Sequence, residues 1–194
     1  MNDSYLDKKD EEIVLLVQSG QVEPFNILIN RYEKKMARYA GRLLSNRDDI
    51  QDVVQDIFTK TYVNIKSFDV NRKFSSWLYR IAHNEIVNVF KKNKKNFLPI
   101  FDVDIFFPQH AKKNYEEINK DLERKEMQKM ISVYFEKLGE KYKEPIALYY
   151  LEDLSYKEIS EVMQIPVVTV GVRIKRAKEM LKNIFKEQGY EYGK

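Results

Sequence analysis

Apolar residues recur at three- and four-residue steps along almost the whole chain, and that period limits the folds open to it. Phe25, Leu28, Ile29, Tyr32, Met36, Tyr39, Ala40 and Leu43 make one face of a long amphipathic helix. Pro24 suits its first turn, where a missing N–H costs nothing. A second helix follows Ser45-Asn46, both good caps, with an apolar face of Ile50, Val53, Val54, Ile57, Phe58, Thr61 and Ile65. A third, expected to be capped by Ser75 or Ser76, buries Trp77, Leu78, Ile81, Ala82, Ile86, Val89 and Phe90. A shorter helix is expected over residues 11–18. Residues 167–172 are the one β-branched run that could form a strand, and no convincing strand is expected. The expected fold is all-α.

Composition removes several function classes. With 6 Gly and 5 Pro in 194 residues, loop-rich β folds are disfavoured. Zero Cys rules out disulfides, thiolate zinc sites and cysteine nucleophiles. The two histidines, His83 and His110, are far apart and leave little material for a metal site or a triad, so no metal or cofactor is expected. No stretch approaches the ~20 apolar residues of a membrane helix, and the run at 13–17 is too short for a signal-peptide core. The expectation is a cytoplasmic protein with no membrane insertion. Net charge is 34 − 30 = +4, mild enough that any nucleic-acid role must rest on local patches.

The period breaks once. Residues 11–97 form a first helical domain, ending in Lys91-Lys92-Asn93-Lys94-Lys95-Asn96. Residues 98–120 carry Pro99, Pro108 and no regular spacing, and are expected to be an irregular linker. Ile100, Phe101, Asp102, Val103, Asp104, Ile105, Phe106 and Phe107 make it apolar and acidic, so it should lie against a surface, on its own domains or in a partner's groove. A second domain spans residues 121–187, where Leu122, Met127, Met130, Ile131, Tyr134 and Leu138 suggest a helix. Because Pro145 belongs in a first turn, the next helix is expected from about residue 144 to 151.

Three local patterns carry chemistry. In the second domain, Ser155 and Glu158 form a capping box opening a short helix whose inner face would be Tyr156, Ile159, Val162 and Met163. Gln164-Ile165-Pro166 makes a tight break. A longer basic helix follows, with Val170, Ile174, Ala177 and Leu181 inward and Arg173 and Arg176 on the opposite face. That is a helix-turn-helix, the alternative being a plain helical hairpin with a solvated face. The second pattern is the acidic row Asp48, Asp52 and Asp56, with Asp49, Gln51 and Gln55 beside it. It reads as a solvated face or as a docking surface for a basic partner. The third interleaves aromatic and basic residues: Phe68, Arg72, Lys73, Phe74, Trp77, Tyr79 and Arg80, with His83, Asn84, Asn88 and Lys91 following. Aromatics beside cations and amides suit unstacked single-stranded bases, although Phe74 and Trp77 serve a core equally well.

These segments resemble the extracytoplasmic-function (ECF) sigma factors, the compact two-domain branch of the sigma-70 family of transcription initiation factors. The similarity rests on residues 48–58, on 68–84, and on 138–151 with 154–177, three long motifs in the family's order. The resemblance implies that Asp48, Asp49, Asp52, Gln55 and Asp56 dock on core RNA polymerase. It implies that Phe68, Asn71, Arg72, Lys73, Phe74, Trp77, Tyr79, Arg80, His83 and Asn84 melt and read the minus-ten promoter element. It assigns the minus-thirty-five element to Val168, Thr169, Val172, Arg173, Lys175 and Arg176. The implied partners are core polymerase and promoter DNA, with no covalent catalysis; the family is commonly held inactive by an anti-sigma protein.

The chain departs from the family pattern mainly in its last motif. Gly139 replaces a Pro. Gln164 replaces a turn Gly, so a residue with a side chain must adopt a left-handed conformation. Val168 replaces another Gly, and Gly171 and Val172 replace Lys and Ser. Two rivals stand beside the resemblance. A free-standing helix-turn-helix regulator would explain only the second domain, and a carboxylate-dependent nuclease only the acidic row.

Overall fold

In the computed structural model the chain is described at residue 5 and over residues 7–93 and 120–187. The elements among the described residues are helical: α1 (Asp10–Gln18), α2 (Phe25–Leu43), α3 (Arg47–Asn64), α4 (Phe74–Asn93), α5 (Lys120–Tyr134), α6 (Glu140–Tyr150), α7 (Tyr156–Met163) and α8 (Val167–Glu187). Short 3-10 turns at Ile65–Ser67 and Phe135–Lys137 follow α3 and α5. The β-branched run at 167–172 opens α8, so the all-α expectation holds where the chain is described. The chain divides into two compact units whose main boundary falls at residues 97 and 98. The expected linker lies outside the described residues except Lys120, which opens α5.

In the first unit, α1–α4 enclose a core in which Ile13, Val14, Leu28, Met36, Tyr39, Ala40, Ile57, Phe74, Leu78 and Ala82 are fully buried. Tyr39 meets Tyr79 edge-to-face at 5.3 Å, and Tyr32 meets Phe74 the same way at 5.7 Å, a favoured geometry for aromatic quadrupoles. Helix α1 opens with Asp10, Glu11 and Glu12, three acids placed where the helix dipole favours them. Asp10 also accepts from Arg31 at 2.6 Å and from the Tyr32 hydroxyl, tying α1 to α2. The expected cap of α3 resolves to Asn46, whose side chain accepts the Asp48 N–H at 2.9 Å.

The start of α4 differs from expectation. The helix begins at Phe74, one residue before the expected Ser75 or Ser76 cap. Its first N–H is taken by the Glu11 carboxylate, 2.8 Å away and 63 residues earlier in the chain. A tertiary acceptor has replaced the local serine cap. Ser76 is turned inward instead, and its buried hydroxyl has no hydrogen-bond partner among the described residues.

In the second unit, Met127, Met130, Ile131, Leu138, Ile146, Leu148, Ile159, Val170, Ile174, Ala177 and Leu181 are buried. Helix α6 starts at Glu140, a turn earlier than Pro145 suggested, because Gly139 is extended and its carbonyl accepts the Tyr142 N–H at 2.9 Å. Pro145 sits in the second turn. It forfeits one backbone bond but its ring is buried, so packing offsets the loss. The open carbonyls at the end of α6 are met from α5: Arg124 donates to Tyr149 O at 2.7 Å and Gln128 to Tyr150 O at 2.7 Å. Burial opposes the charge on Lys143, but bonds to Glu136 (2.8 Å) and Glu140 (3.3 Å) outweigh it and hold its pKa above the usual lysine value.

Burial, together with the bond to Asp10, pushes the Tyr32 hydroxyl well above its ordinary value of 10.0. The folded state therefore holds a proton that the unfolded chain releases near pH 10. Its contribution is complete below that pH and is lost as pH rises further. Tyr32→Phe should cost about 1.5–3 kcal/mol at neutral pH, the value of a hydrogen bond to a charged group, and should flatten the alkaline loss of stability above pH ~10. Urea unfolding at several pH values measures both; an unchanged alkaline slope would assign it to other groups.

Candidate nucleic-acid interface and docking face

Helix α3 presents two faces because its apolar arc is wider than one stripe. Val53, Ile57, Phe58 and Thr61 are buried in the core. Ile50 and Val54, expected to be buried with them, are only half-buried. Together with Phe25 and Ile29 of α2, Phe58, and Tyr62 and Val63 farther along α3, they line an apolar groove of about 740 Å³. Tyr62 and Val63 are exposed, and Tyr62 packs edge-on against Phe25 at 5.1 Å. The acidic row stands beside this groove: Asp48, Asp52, Gln55 and Asp56 are exposed and Asp49 is half-buried. Gln51, Gln55 and Glu33 belong to its lining. The row was legible as a four-residue period. The groove was not, since its walls come from two helices whose packing angle and separation no period along either one carries.

The aromatic-basic segment separates into a buried part and an exposed part. Phe68 and Phe74 are buried, their rings 5.9 Å apart and perpendicular, and Tyr79 is buried against Tyr39. These three side chains, expected among the DNA contacts, are packed into the core. Trp77 is half-buried, 5.0 Å from Phe68 and 6.0 Å from Phe74 by ring centroid. Between the two phenylalanines, Asn71, Arg72 and Lys73 are exposed. Asp69 shapes this loop: one carboxylate oxygen accepts the Asn71 backbone N–H at 3.0 Å and its side-chain amide at 2.9 Å, while the Asp69 carbonyl accepts the Arg72 N–H at 3.0 Å. On α4, Arg80 and Asn84 are exposed and His83 half-buried.

The helix-turn-helix is formed by α7 and α8. Ser155 and Glu158 make the capping box, with the Glu158 carboxylate accepting the Ser155 N–H at 2.7 Å. Gln164 closes α7 at φ 56°, in the left-handed region that its replacement of a glycine demanded. The Ser160 hydroxyl donates to the Ile165 carbonyl at 2.5 Å and braces the turn. Ile159 and Val162 face inward as expected, but Tyr156 is exposed, packing its ring on Tyr149 at 5.0 Å. A Cβ built on Gly171 would meet the Tyr156 ring at 3.5 Å, ordinary contact, so Gly171 is not required for space.

At the start of α8, Val168 is 74% exposed, and Thr169 and Val172 are half-buried. Lys175 and Arg176 are exposed. Arg173 departs from expectation: it is 7% exposed and its Nε has no hydrogen-bond partner among the described residues. The geometry explains it. Position 173 lies three residues after Val170 and four before Ala177, so it flanks the inward stripe and does not oppose it.

Two family models match the chain: sigma-70 region 2 over residues 28–96 and sigma-70 region 4 over residues 128–181. Among curated relatives, the ECF RNA polymerase sigma factor SigW of Bacillus subtilis is 34% identical over 180 residues, covering 86% of this chain and 91% of its own. The ECF RNA polymerase sigma-E factor of Escherichia coli is 34% identical over 179 residues, covering 90% and 93%. Among solved structures, CnrH in complex with the cytosolic domain of CnrY matches 93% of this chain and 99% of its own at a TM-score of 0.65 and 23% identity. The sigma factor RpoE of Bartonella quintana, solved with the anti-sigma factor NepR, matches 85% and 98% at 0.61 and 22%. Those two likenesses establish the shared fold. On the family models and the relatives, the chain belongs to the ECF RNA polymerase sigma factors, which direct the initiation of transcription.

The burial of Arg173 gives a direct test. Arg173→Met keeps the length of the stem and removes the unpartnered Nε, so it should be neutral or stabilise the C-terminal unit by about 1 kcal/mol. Thermal unfolding measures it. A loss of more than about 1 kcal/mol would show instead that the guanidinium is structurally required.

Proposed function

We propose that the first unit docks on core RNA polymerase and opens the minus-ten element, and that the second reads the minus-thirty-five element. The docking surface is the acidic row Asp48, Asp49, Asp52, Gln55 and Asp56 together with the apolar groove beside it. The carboxylates steer and orient a basic partner, while the groove supplies area that can be desolvated. The exposed loop residues Asn71, Arg72 and Lys73, with Trp77, Arg80, His83 and Asn84 behind them, hold unpaired bases by stacking, amide hydrogen bonds and phosphate charge. At the duplex, Val168 and Val172 offer apolar contact to a thymine methyl, and Thr169, Lys175 and Arg176 supply polar and phosphate contacts. The chain itself carries out no covalent step. It works in the cytoplasm, and an anti-sigma protein is its expected antagonist, since a sigma factor of this fold has been solved with one.

The observation that carries this reading is the joint exposure of the acidic row and of residues 71–73 on one helical unit, where neither serves the core. Asp52→Lys combined with Asp56→Lys should leave the fold intact and weaken binding to core polymerase by about 2–4 kcal/mol, through like-charge juxtaposition. A pull-down with core enzyme followed by run-off transcription tests this, and unchanged affinity would remove the acidic row from the interface. Replacing Asn71, Arg72 and Lys73 by alanine should block open-complex formation more than closed binding. Permanganate reactivity at unpaired thymines reports the difference; normal reactivity would give the loop a structural role only.

A further inference from the structure

Helix α1 grips the 68–74 loop at both ends. Glu11 and Gln18 are seven residues apart, two helical turns, and so lie on one face about 10 Å long. At one end, Glu11 Oε1 accepts the Phe74 N–H at 2.8 Å, where the loop becomes α4. At the other, Gln18 Nε2 donates to the carbonyls of Ile65 at 2.8 Å and Phe68 at 2.9 Å, where α3 runs out into the loop. All three bonds are part-buried and span 47 to 63 residues of chain. They are tertiary bonds, with no part in regular secondary structure.

The chemistry of the two residues fits the task. Gln18 uses both amide hydrogens on two carbonyls, that of Phe68 and that of Ile65, which also accepts the Phe68 N–H at 3.1 Å in the 3-10 turn, and an apolar or acidic side chain of the same length cannot do this. The Glu11 carboxylate caps α4 and is favoured there by the helix dipole. Helix α1 is itself fixed, because neighbouring Asp10 is bonded to Arg31 and Tyr32 of α2. The bonds made by Asp69 shape the tip of the loop only locally. The bonds from α1 act with the packing of the Phe68 and Phe74 rings to set where its two ends stand.

Resting on the reading of this loop as the base-capturing element, we infer that α1 is its brace, with Glu11 and Gln18 as positioning residues for promoter opening. Neither side chain need touch DNA. Each acts by holding Phe68 and Phe74, so that Asn71, Arg72 and Lys73 meet an unpaired strand already arranged. Pre-ordering the loop removes an entropic cost that would otherwise fall on the open complex.

The test uses full-length Glu11→Ala, Glu11→Gln and Gln18→Leu chains assembled with core RNA polymerase. Core affinity, permanganate reactivity and the minus-ten sequences selected from a promoter library are measured for each. Glu11→Ala and Gln18→Leu should bind core enzyme like the parent, open promoters on the order of tenfold less well, and relax minus-ten preference. Glu11→Gln keeps an oxygen that accepts from Phe74 and should restore opening. Parental opening and preference in Glu11→Ala and Gln18→Leu would overturn the inference. So would an opening defect that matches a loss of core binding and is not rescued by Glu11→Gln. The alanine variant of residues 71–73 runs in parallel. If it opens promoters normally, the reading of the loop fails and the brace with it. If it is defective while the α1 variants are normal, the brace alone fails.

Discussion

Phe74 joins the parts of the N-terminal unit through two kinds of force at once. Its ring is fully buried and meets Tyr32, Phe68 and Trp77, so apolar burial and aromatic geometry fix the start of α4 against α2 and against the end of the preceding loop. Its backbone N–H is one of the unsatisfied donors of a helix start, and Glu11 of α1 accepts it. One residue thus gathers three helices and a loop. Asn71, Arg72 and Lys73 can stand in solvent because the phenylalanines on either side of them do not.

Helix α3 solves a different problem. A helix with one apolar stripe buries it and leaves a polar outer face. Here the apolar arc extends past the core to Ile50 and Val54, which stay half-exposed on the wall of a groove. Four exposed polar residues, three of them acidic, run beside that groove. Like charges four residues apart slightly weaken an isolated helix. A partner surface of opposite charge would reverse that penalty, and this gives the arrangement a physical rationale as a docking face.

The helix-turn-helix shows how a local departure is accommodated. A left-handed turn costs a residue with a side chain roughly 1–2 kcal/mol, and Gln164 adopts it nonetheless. The bond from Ser160 to the Ile165 carbonyl and the inward packing of Ile159, Val162 and Val170 hold the turn in place. The result leaves Val168 prominent at the start of α8, a more apolar helix start than a glycine at that position would make.

Periodicity alone determined much of this protein. The long stripes of α2, α3, α4 and α8, the Asn46 cap and the Ser155–Glu158 capping box are local consequences of side-chain spacing and backbone sterics, while the left-handed demand on Gln164 came from the family resemblance. Such features need no knowledge of what lies across the core. The acidic row was legible for the same reason, since a four-residue step places groups in line on any helix. Tertiary structure decided the rest. It put Phe68, Phe74 and Tyr79 in the core, because an aromatic flanked by cations has the same local signature in either place. It turned Arg173 inward, since a position at the edge of a stripe is assigned only when the neighbouring helix arrives. It replaced a serine cap with Glu11, made α6 begin ahead of Pro145, and built a groove from two helices. Each of these depends on which distant residue comes within hydrogen-bonding or van der Waals reach, and a period along one chain does not carry that distance.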